Sequence, residues 1–379
     1  MIAIKRASHI NGWLFLLAMG AGLLSLLAPV GHFFMTGTAA WQQFRDGELV
    51  RHLEKQVDEA FVLRQPSIAL WADMNYLLFR AGRPGVLVGD NGWLFTREEF
   101  YFDRHNETAL EQNLQQIQLA TCDLQRRGKQ VLMLPLPAKR RLYGQRVATA
   151  VVPAMEALYP RVTGAFANDG LAWINALQIL EQAAPQQPVF MRTDTHWSPA
   201  GASAVAAGVA AALTLPGQHD YHTEEVAVQP YQGDLLRYLP TSTGIGPQRS
   251  EPLARYQTAP REVADDAAAL LGDSMPAVAL VGTSYSAMDE WHFPGFLQQQ
   301  LGQDVLVFAL EAKGPFQAFR EFLDSPAAND PRVRYVIWEV PERALIQPMN
   351  AIVTGDNHAC LDHRRESGSA VAGLGGTGR

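Results

Sequence analysis

The chain has 379 residues, of which 47% are hydrophobic and 18% charged, enough apolar material for one large packed domain and too much for a disordered chain. Its formal net charge of −7 argues against nucleic acid as a partner. In an oxidising compartment the two cysteines, Cys122 and Cys360, could pair, although Cys122 sits in a helical pattern and Cys360 near the tail; no His/Cys cluster at ligand spacing points to a metal, and His358 and His363 stand in a polar tail. Asn106-Glu107-Thr108 spells a glycosylation sequon.

From the N-terminus, Lys5 and Arg6 precede an apolar stretch over residues 10–35, broken only by Asn11, Ser25, Pro29 and His32. Its length suits a bilayer span, and the positive flank places the N-terminus in the cytoplasm. Residues 1–36 are therefore expected to be an uncleaved membrane anchor. A signal peptide cut near Thr38-Ala39-Ala40 is the rival, but its apolar region is usually shorter. Residues 37–87 read as a juxtamembrane helical region, with Leu49, Leu53, Val57, Ala60 and Phe61 near helical spacing.

From residue 88 to residue 348 the pattern alternates in the α/β manner. A helix is expected over residues 110–127 and strands over residues 130–134 and 189–191. Ser198 as N-cap and Pro199 at the first helical position open an Ala-rich helix running to Leu213. A Gly/Pro-containing insert follows over residues 216–260. Further strands are expected at residues 277–281, 305–309 and 335–338, with a helix at residues 316–323. This alternation predicts a mostly parallel sheet flanked by helices, with the site at the carboxyl ends of the strands. The tail, residues 349–379, turns Gly/Ala/Ser-rich from Ser367 and is expected to be disordered.

Two segments carry chemistry. In Arg192-Thr193-Asp194-Thr195-His196-Trp197-Ser198-Pro199, a carboxylate stands two residues before an imidazole and just ahead of a helix start. In Leu280-Val281-Gly282-Thr283-Ser284-Tyr285-Ser286, a buried strand leaves through a glycine turn that can lift a serine above the sheet edge. A hydroxyl becomes a nucleophile when a base takes its proton, so Asp194, His196 and Ser284 supply orienter, base and nucleophile. Each half alone is a weak signal: an Asp-x-His pair is commonly a loop hydrogen bond, and Gly-x-Ser recurs at strand exits. Leu271-Gly272-Asp273-Ser274 offers a rival serine, but it precedes its strand and reads as a turn. Ser286 reads as a capping or packing hydroxyl. The Gly-Thr-Ser turn lacks the Gly-Lys-Ser of a phosphate loop, and no cofactor is implied.

Beyond these residues the chain resembles the alginate O-acetyltransferases of the AlgJ/AlgX type, whose relatives also acetylate bacterial cellulose. Five blocks carry the resemblance in order: Gly89-Asp90-Asn91-Gly92-Trp93-Leu94-Phe95, Leu134-Pro135-Leu136-Pro137-Ala138-Lys139 with Tyr143, the Thr193-to-Gly201 block, Gly282-to-Ser286, and Val336-Ile337-Trp338-Glu339-Val340-Pro341-Glu342-Arg343. It implies an SGNH-hydrolase-like domain over residues 88–348. Asp194 and His196 precede Ser284, the reverse of ordinary SGNH enzymes, so the topology is expected to be circularly permuted. The resemblance also implies that Asp194, His196 and Ser284 form the catalytic triad, that acetyl passes through Ser284 to an exopolysaccharide, and that the domain faces the periplasm from the inner membrane. A membrane-bound O-acyltransferase as acetyl donor and other exopolysaccharide synthesis and export proteins are the implied partners. With no carbohydrate-binding domain expected after the catalytic one, the AlgJ form is the nearer of the two.

Lesser candidates for substrate contact are Trp197, Tyr285, Trp291 and Lys139, the last within the basic run Lys139-Arg140-Arg141; the alternative is packing for the three rings and a solvated loop for the basic run. Gly314 is the candidate for the oxyanion region, and Glu339, Glu342 and Arg343 read as a structural ion pair or cap. An esterase that deacetylates polysaccharide with the same triad, or a non-enzymatic scaffold of the acetylation assembly, are the alternatives.

Overall fold

A computed structural model describes residues 45–61, 63–261 and 275–352, with single residues and short stretches between 12 and 35. Most of the expected anchor, the Gly272-Asp273-Ser274 turn, Cys360 and nearly all of the expected tail therefore lie outside the described residues. Among the described residues no helix is long and apolar enough to cross a membrane. The chain divides into two compact units, Met1–Arg83 with Leu239–Gly246, and Pro84–Tyr238 with Pro247–Arg379.

The first unit contains α1 (Glu48–Ala60) and α2 (Arg64–Phe79). One side of α2 is pinned by buried Asp73, which accepts the Ser242 N–H at 2.7 Å and its hydroxyl at 2.5 Å. The other side leaves Leu70, Trp71, Met74, Leu77 and Leu78 exposed.

The second unit begins with the short antiparallel pair β1 (Val86–Val88) and β2 (Leu94–Thr96), then α3 (Arg104–Arg126). Asp103 caps α3 in a reciprocal capping box with Asn106. Next come β3 (Gln130–Leu136), the single turn α4 (Arg140–Tyr143), α5 (Pro153–Asn168), β4 (Ala172–Trp173), α6 (Ala176–Ala183) and α7 (Pro199–Leu213). A hairpin, β5 (Tyr221–Tyr231) with β6 (Glu251–Pro260), is followed by β7 (Val278–Gly282), α8 (Ser284–Ala287), α9 (Phe293–Leu301), β8 (Val305–Ala309), α10 (Gly314–Asp324) and β9 (Tyr335–Pro341).

Five strands form one parallel sheet in the order β4-β3-β9-β7-β8. Because both faces are covered, its central strands are near-continuous apolar runs, and successive side chains feed opposite cores. Leu132, Leu134, Val278 and Leu280 pack with Val205, Val209 and Leu297 of α7 and α9. Val131, Met133, Ala279 and Val281 pack with Leu110, Val162, Phe319 and Phe322 of α3, α5 and α10. Counted from β7, the strand order becomes 2-1-3-4-5, a common doubly wound order whose ligand site lies at the carboxyl ends near the switch point.

Two expectations are corrected. Residues 189–191 do not join the sheet: Phe190 makes only an isolated antiparallel bridge to Trp197. The Met191 N–H bonds the His196 carbonyl at 3.1 Å and the Ser198 N–H bonds the Val189 carbonyl at 3.0 Å, so this segment closes on itself as a tight loop. His196 thus enters the site from a loop, not from a strand exit. The insert, expected only as a Gly/Pro-containing segment, holds the ten-pair hairpin β5–β6.

Candidate active site

Ser284 is the first residue of α8, directly beyond the carboxyl end of β7, and Thr283 caps that helix. Gly282 is required at the exit: a Cβ there would stand 2.6 Å from Glu339 Oε2 and 2.7 Å from Ser286 Oγ. The loop holding Asp194 and His196 closes over the same sheet edge. Asp194 Oδ1 lies 2.6 Å from His196 Nδ1 and also accepts the His196 backbone N–H at 2.9 Å, while His196 Nε2 lies 2.7 Å from Ser284 Oγ. An acidic partner on Nδ1 fixes the tautomer that leaves Nε2 free to accept the serine proton. The imidazole is wedged between rings, 4.7 Å from Tyr285 and stacked 5.4 Å from Trp291, which limits its rotation.

Asp194 is fully buried, yet both its oxygens are used. Oδ2 accepts the Tyr231 hydroxyl at 2.7 Å and the Asp234 N–H at 2.8 Å. Burial pushes the carboxyl up, but hydrogen bonding and charge from His196, with the Asp234 and Tyr231 donors, outweigh it and hold Asp194 well below the usual carboxylate range. Asp234 is pushed upward by burial and by the Asp194 charge; its own oxygens accept the Thr195 N–H and hydroxyl, each at 2.9 Å. Asp194, His196 and Asp234 also bring three metal-capable groups within 4.8 Å of one another. Their oxygens are already committed to protein donors, a set better suited to orienting an imidazole than to holding an ion.

Tyr231 and Asp234 come from the insert and have no counterpart in the sequence reading. The one trace they leave is Gly233, where a Cβ would stand 2.2 Å from the Thr193 carbonyl oxygen, so only glycine lets the two loops meet. Glu251 of β6 completes the clamp, accepting the N–H groups of Arg192 at 2.9 Å and Thr193 at 2.8 Å and the Thr193 hydroxyl at 2.6 Å.

Lys139 stands far from its expected place against substrate. It is 1% exposed, and its ammonium donates to the carbonyls of Leu94 (2.6 Å), Arg192 (2.9 Å) and Asp194 (2.8 Å), beside the rings of Trp93 and Phe95. Burial brings its pKa down to about 8 against the opposing pull of Glu99 and Asp194. The rest of the basic run turns inward too: Arg140 pairs with Glu156, and Arg141 with the fully buried Glu342. Lys139 therefore fastens the Asp194 loop to β2.

The three aromatic candidates are buried, and Tyr285 also lines the hollow at Ser284. Trp197 and Trp291 are 0% exposed, and Tyr285 is 2% exposed. Trp197 donates to the Tyr285 carbonyl at 3.2 Å and Tyr285 donates to the Thr195 carbonyl at 2.8 Å, knitting the Asp/His loop to the serine helix. Ser286 is buried and donates to Glu339.

Ser284 opens into a hollow of about 300 Å³ lined also by Glu98, Lys313, Gly314, Arg343, Pro348 and Met349. Gly314 lines the same hollow; its φ of +73° belongs to the left-handed region and suits glycine. Ser284 and Gly314 each begin a helix, where backbone N–H groups lack intrahelical acceptors. A Ser-His-Asp relay beside two helix starts can perform acyl transfer.

Residues 86–342 match the family described as the SGNH hydrolase-like domain of acetyltransferase AlgX. The chain is similar to the probable alginate O-acetylase AlgJ of Azotobacter vinelandii, 37% identical over 312 residues covering 79% of this chain and 80% of that one. It is 34% identical over 343 residues, 87% of each chain, to the probable alginate O-acetylase AlgJ of Pseudomonas syringae pv. tomato. Among solved structures, the O-acetyltransferase domain of Pseudomonas putida AlgJ superposes with a TM-score of 0.64 at 30% identity, covering 75% of this chain and all of that domain.

Proposed function

The chain belongs to the SGNH hydrolase-like acetyltransferase family of AlgX, and on that premise we propose that it is a polysaccharide O-acetyltransferase working through Asp194, His196 and Ser284. The observation that carries the reading is the unbroken relay from Asp194 Oδ1 through His196 to Ser284 Oγ, with links of 2.6 and 2.7 Å, ending in an open hollow. His196 takes the Ser284 proton as Oγ attacks the carbonyl carbon of an acetyl ester. The tetrahedral oxyanion is met by the N–H groups of Ser284 and Gly314. Collapse breaks the bond to the leaving group, which departs with the proton from His196, and leaves acetyl-Ser284. A sugar hydroxyl then gives its proton to His196 and attacks that ester, and the second collapse restores Ser284 and releases the acetylated sugar.

A polymer needs room on either side of the reacting sugar. Ala312, Lys313, Pro348 and Met349 line both the Ser284 hollow and a neighbouring hollow of about 650 Å³ bordered by Phe316, Gln317 and Arg320 of α10, and in this reading the polymer extends from the first towards the second. The names of the relatives make alginate the first acceptor to test, and the resemblance to cellulose-acetylating proteins makes cellulose the second. In this reading residues 1–36 anchor the chain in the inner membrane, residues 37–87 form a helical connection, residues 88–348 act in the periplasm and residues 349–379 are a tail. A membrane-bound O-acyltransferase supplies acetyl groups, and polymer synthesis and export proteins complete the assembly. The 2-1-3-4-5 order counted from the serine strand supports a circular permutation of the ordinary SGNH arrangement.

The purified protein, given an activated acetyl ester with and without oligosaccharides of mannuronate or glucose, tests this reading by mass spectrometry. Acetylated oligosaccharide that vanishes in Ser284→Ala, and acetyl-Ser284 that accumulates without acceptor, are the expected results. Rapid release of free acetate that no sugar diverts, with removal of acetate from acetylated polymer, would make the protein an esterase instead.

A further inference from the structure

Glu339 has no part in the relay, yet it is the buried acid nearest the serine turn. It leaves the end of β9, the central strand between β3 and β7, and its side chain is 0% exposed. Three neutral donors converge on it: the Thr283 N–H at 2.6 Å and the Ser286 hydroxyl at 3.0 Å on Oε2, and the Thr283 hydroxyl at 3.0 Å on Oε1. These donors bracket Ser284 in sequence, one residue before it and two after. A Cβ at Gly282 would stand 2.6 Å from the same carboxyl oxygen, so a side chain there would push the acid aside. Gly282, Thr283 and Ser286, which flank Ser284, are thus seated on one group delivered by a neighbouring strand.

We infer that Glu339 is the positioning residue of the serine turn, acting through Thr283 and Ser286 to hold Ser284 Oγ in line with His196 Nε2. The physical case rests on how little the turn's own helix contributes. α8 is a single turn of helix, too short to be stable alone, and its capping bond from the Tyr285 N–H to Thr283 Oγ1 is long at 3.5 Å. A buried acid costs free energy unless its acceptor sites are filled, and here the fillers are the turn's own N–H and hydroxyl groups. Turn and acid therefore stabilise each other, and the turn keeps one geometry. A displacement of about 1 Å at a reacting atom lowers turnover by about 100-fold while leaving binding largely intact. The role is distinct from that of Asp194, which orients the base, and of Lys139, which holds the loop of the base.

The inference rests on the reading of Ser284 as nucleophile, so Ser284→Ala is measured alongside. Glu339→Ala, Glu339→Gln and Thr283→Val are compared with the unaltered protein for kcat and KM with an activated acetyl ester, for melting temperature, and for the rate at which a sulfonyl fluoride labels Ser284. Gln keeps the shape, offers an acceptor to the Thr283 N–H and Ser286 hydroxyl, and donates to Thr283 Oγ1. Glu339→Ala should lower kcat and labelling about 100-fold with KM within twofold, Glu339→Gln should restore most of both, and Thr283→Val should fall between them. Wild-type kcat in a folded Glu339→Ala, or a Glu339→Gln as inactive as the alanine variant, overturns the inference. Should Glu339→Ala not fold, wild-type kcat in both Glu339→Gln and Thr283→Val would overturn it equally. Full activity in Ser284→Ala would instead remove the reading beneath it.

Discussion

Tyr231 donates its hydroxyl to Asp194 Oδ2 at 2.7 Å across 37 positions of sequence, tying the hairpin of the insert to the acid that orients His196. A carboxylate beside an imidazole would otherwise be free to swing or to trade its partner for water. With Oδ1 on His196 and Oδ2 on Tyr231 and Asp234, the plane of the carboxylate is set from both sides. Tyr231→Phe keeps the ring and removes one charge-assisted bond of about 1.5–3 kcal/mol. Acetyl transfer should fall roughly 10- to 100-fold, with the fold kept by circular dichroism. An unchanged kcat would show that Asp234 and His196 alone suffice to hold the acid.

Ser284→Ala, His196→Ala and Asp194→Asn should each reduce turnover by several orders of magnitude, as removal of any member of such a relay does. The losses should not add when two changes are combined, because the three groups act as a unit. Full activity in Ser284→Ala with loss in Ser274→Ala would move the nucleophile to the Gly-Asp-Ser turn.

Gly233→Ala tests the meeting of the two loops. The added methyl would stand 2.2 Å from the Thr193 carbonyl oxygen, inside any tolerable contact, so one loop must move. The expected result is a loss of about 1–3 kcal/mol in stability, and a fall in kcat larger than that of Tyr231→Phe, because Asp234 leaves along with Tyr231. Denaturant melts and kinetics on the same sample measure both.

Glu339 makes stability depend on pH in a predictable direction. Burial pushes its carboxyl up to about 7, against hydrogen bonds from Thr283 and Ser286 and the charge of His196 that favour ionisation. An acid raised in the fold binds its proton between its ordinary value of 4.5 and about 7, where the unfolded chain has released it. Folding stability from this group is therefore present at low pH and is lost as pH rises through that window. Glu339→Gln removes the titration, so the melting temperature of the unaltered protein should decline relative to the variant between pH 4.5 and 7. Parallel curves would show that the carboxyl titrates in its ordinary range.

The expected anchor is tested by fusing a phosphatase after residue 87. The fusion should be active and should stay with the membrane after washing in salt, with Lys5 and Arg6 inside. A soluble mature chain starting near Trp41 would establish a cleaved signal peptide.

The sequence by itself determined the strands, whose apolar runs within residues 130–134, 277–281 and 335–338 call for burial, and the start of α7, because Ser198 and Pro199 act on their own neighbours. It also determined Asp194 and His196 as a pair, since two residues of separation already bring the carboxylate to the ring. Only the tertiary structure decided what these local pieces do together. It turned Lys139 inward, because three carbonyls from β2 and the Asp194 loop converge where a surface loop was expected. It buried Trp197, Tyr285 and Trp291, the last two against the imidazole, and it brought Tyr231, Asp234 and Glu251 from a hairpin with no motif of its own. Secondary structure follows from contacts within a few residues, and these the sequence displays. A buried polar cluster is assembled from partners dozens or hundreds of positions apart, and which donor meets which acceptor is settled only when the sheet order and the loops above it place them within about 3 Å.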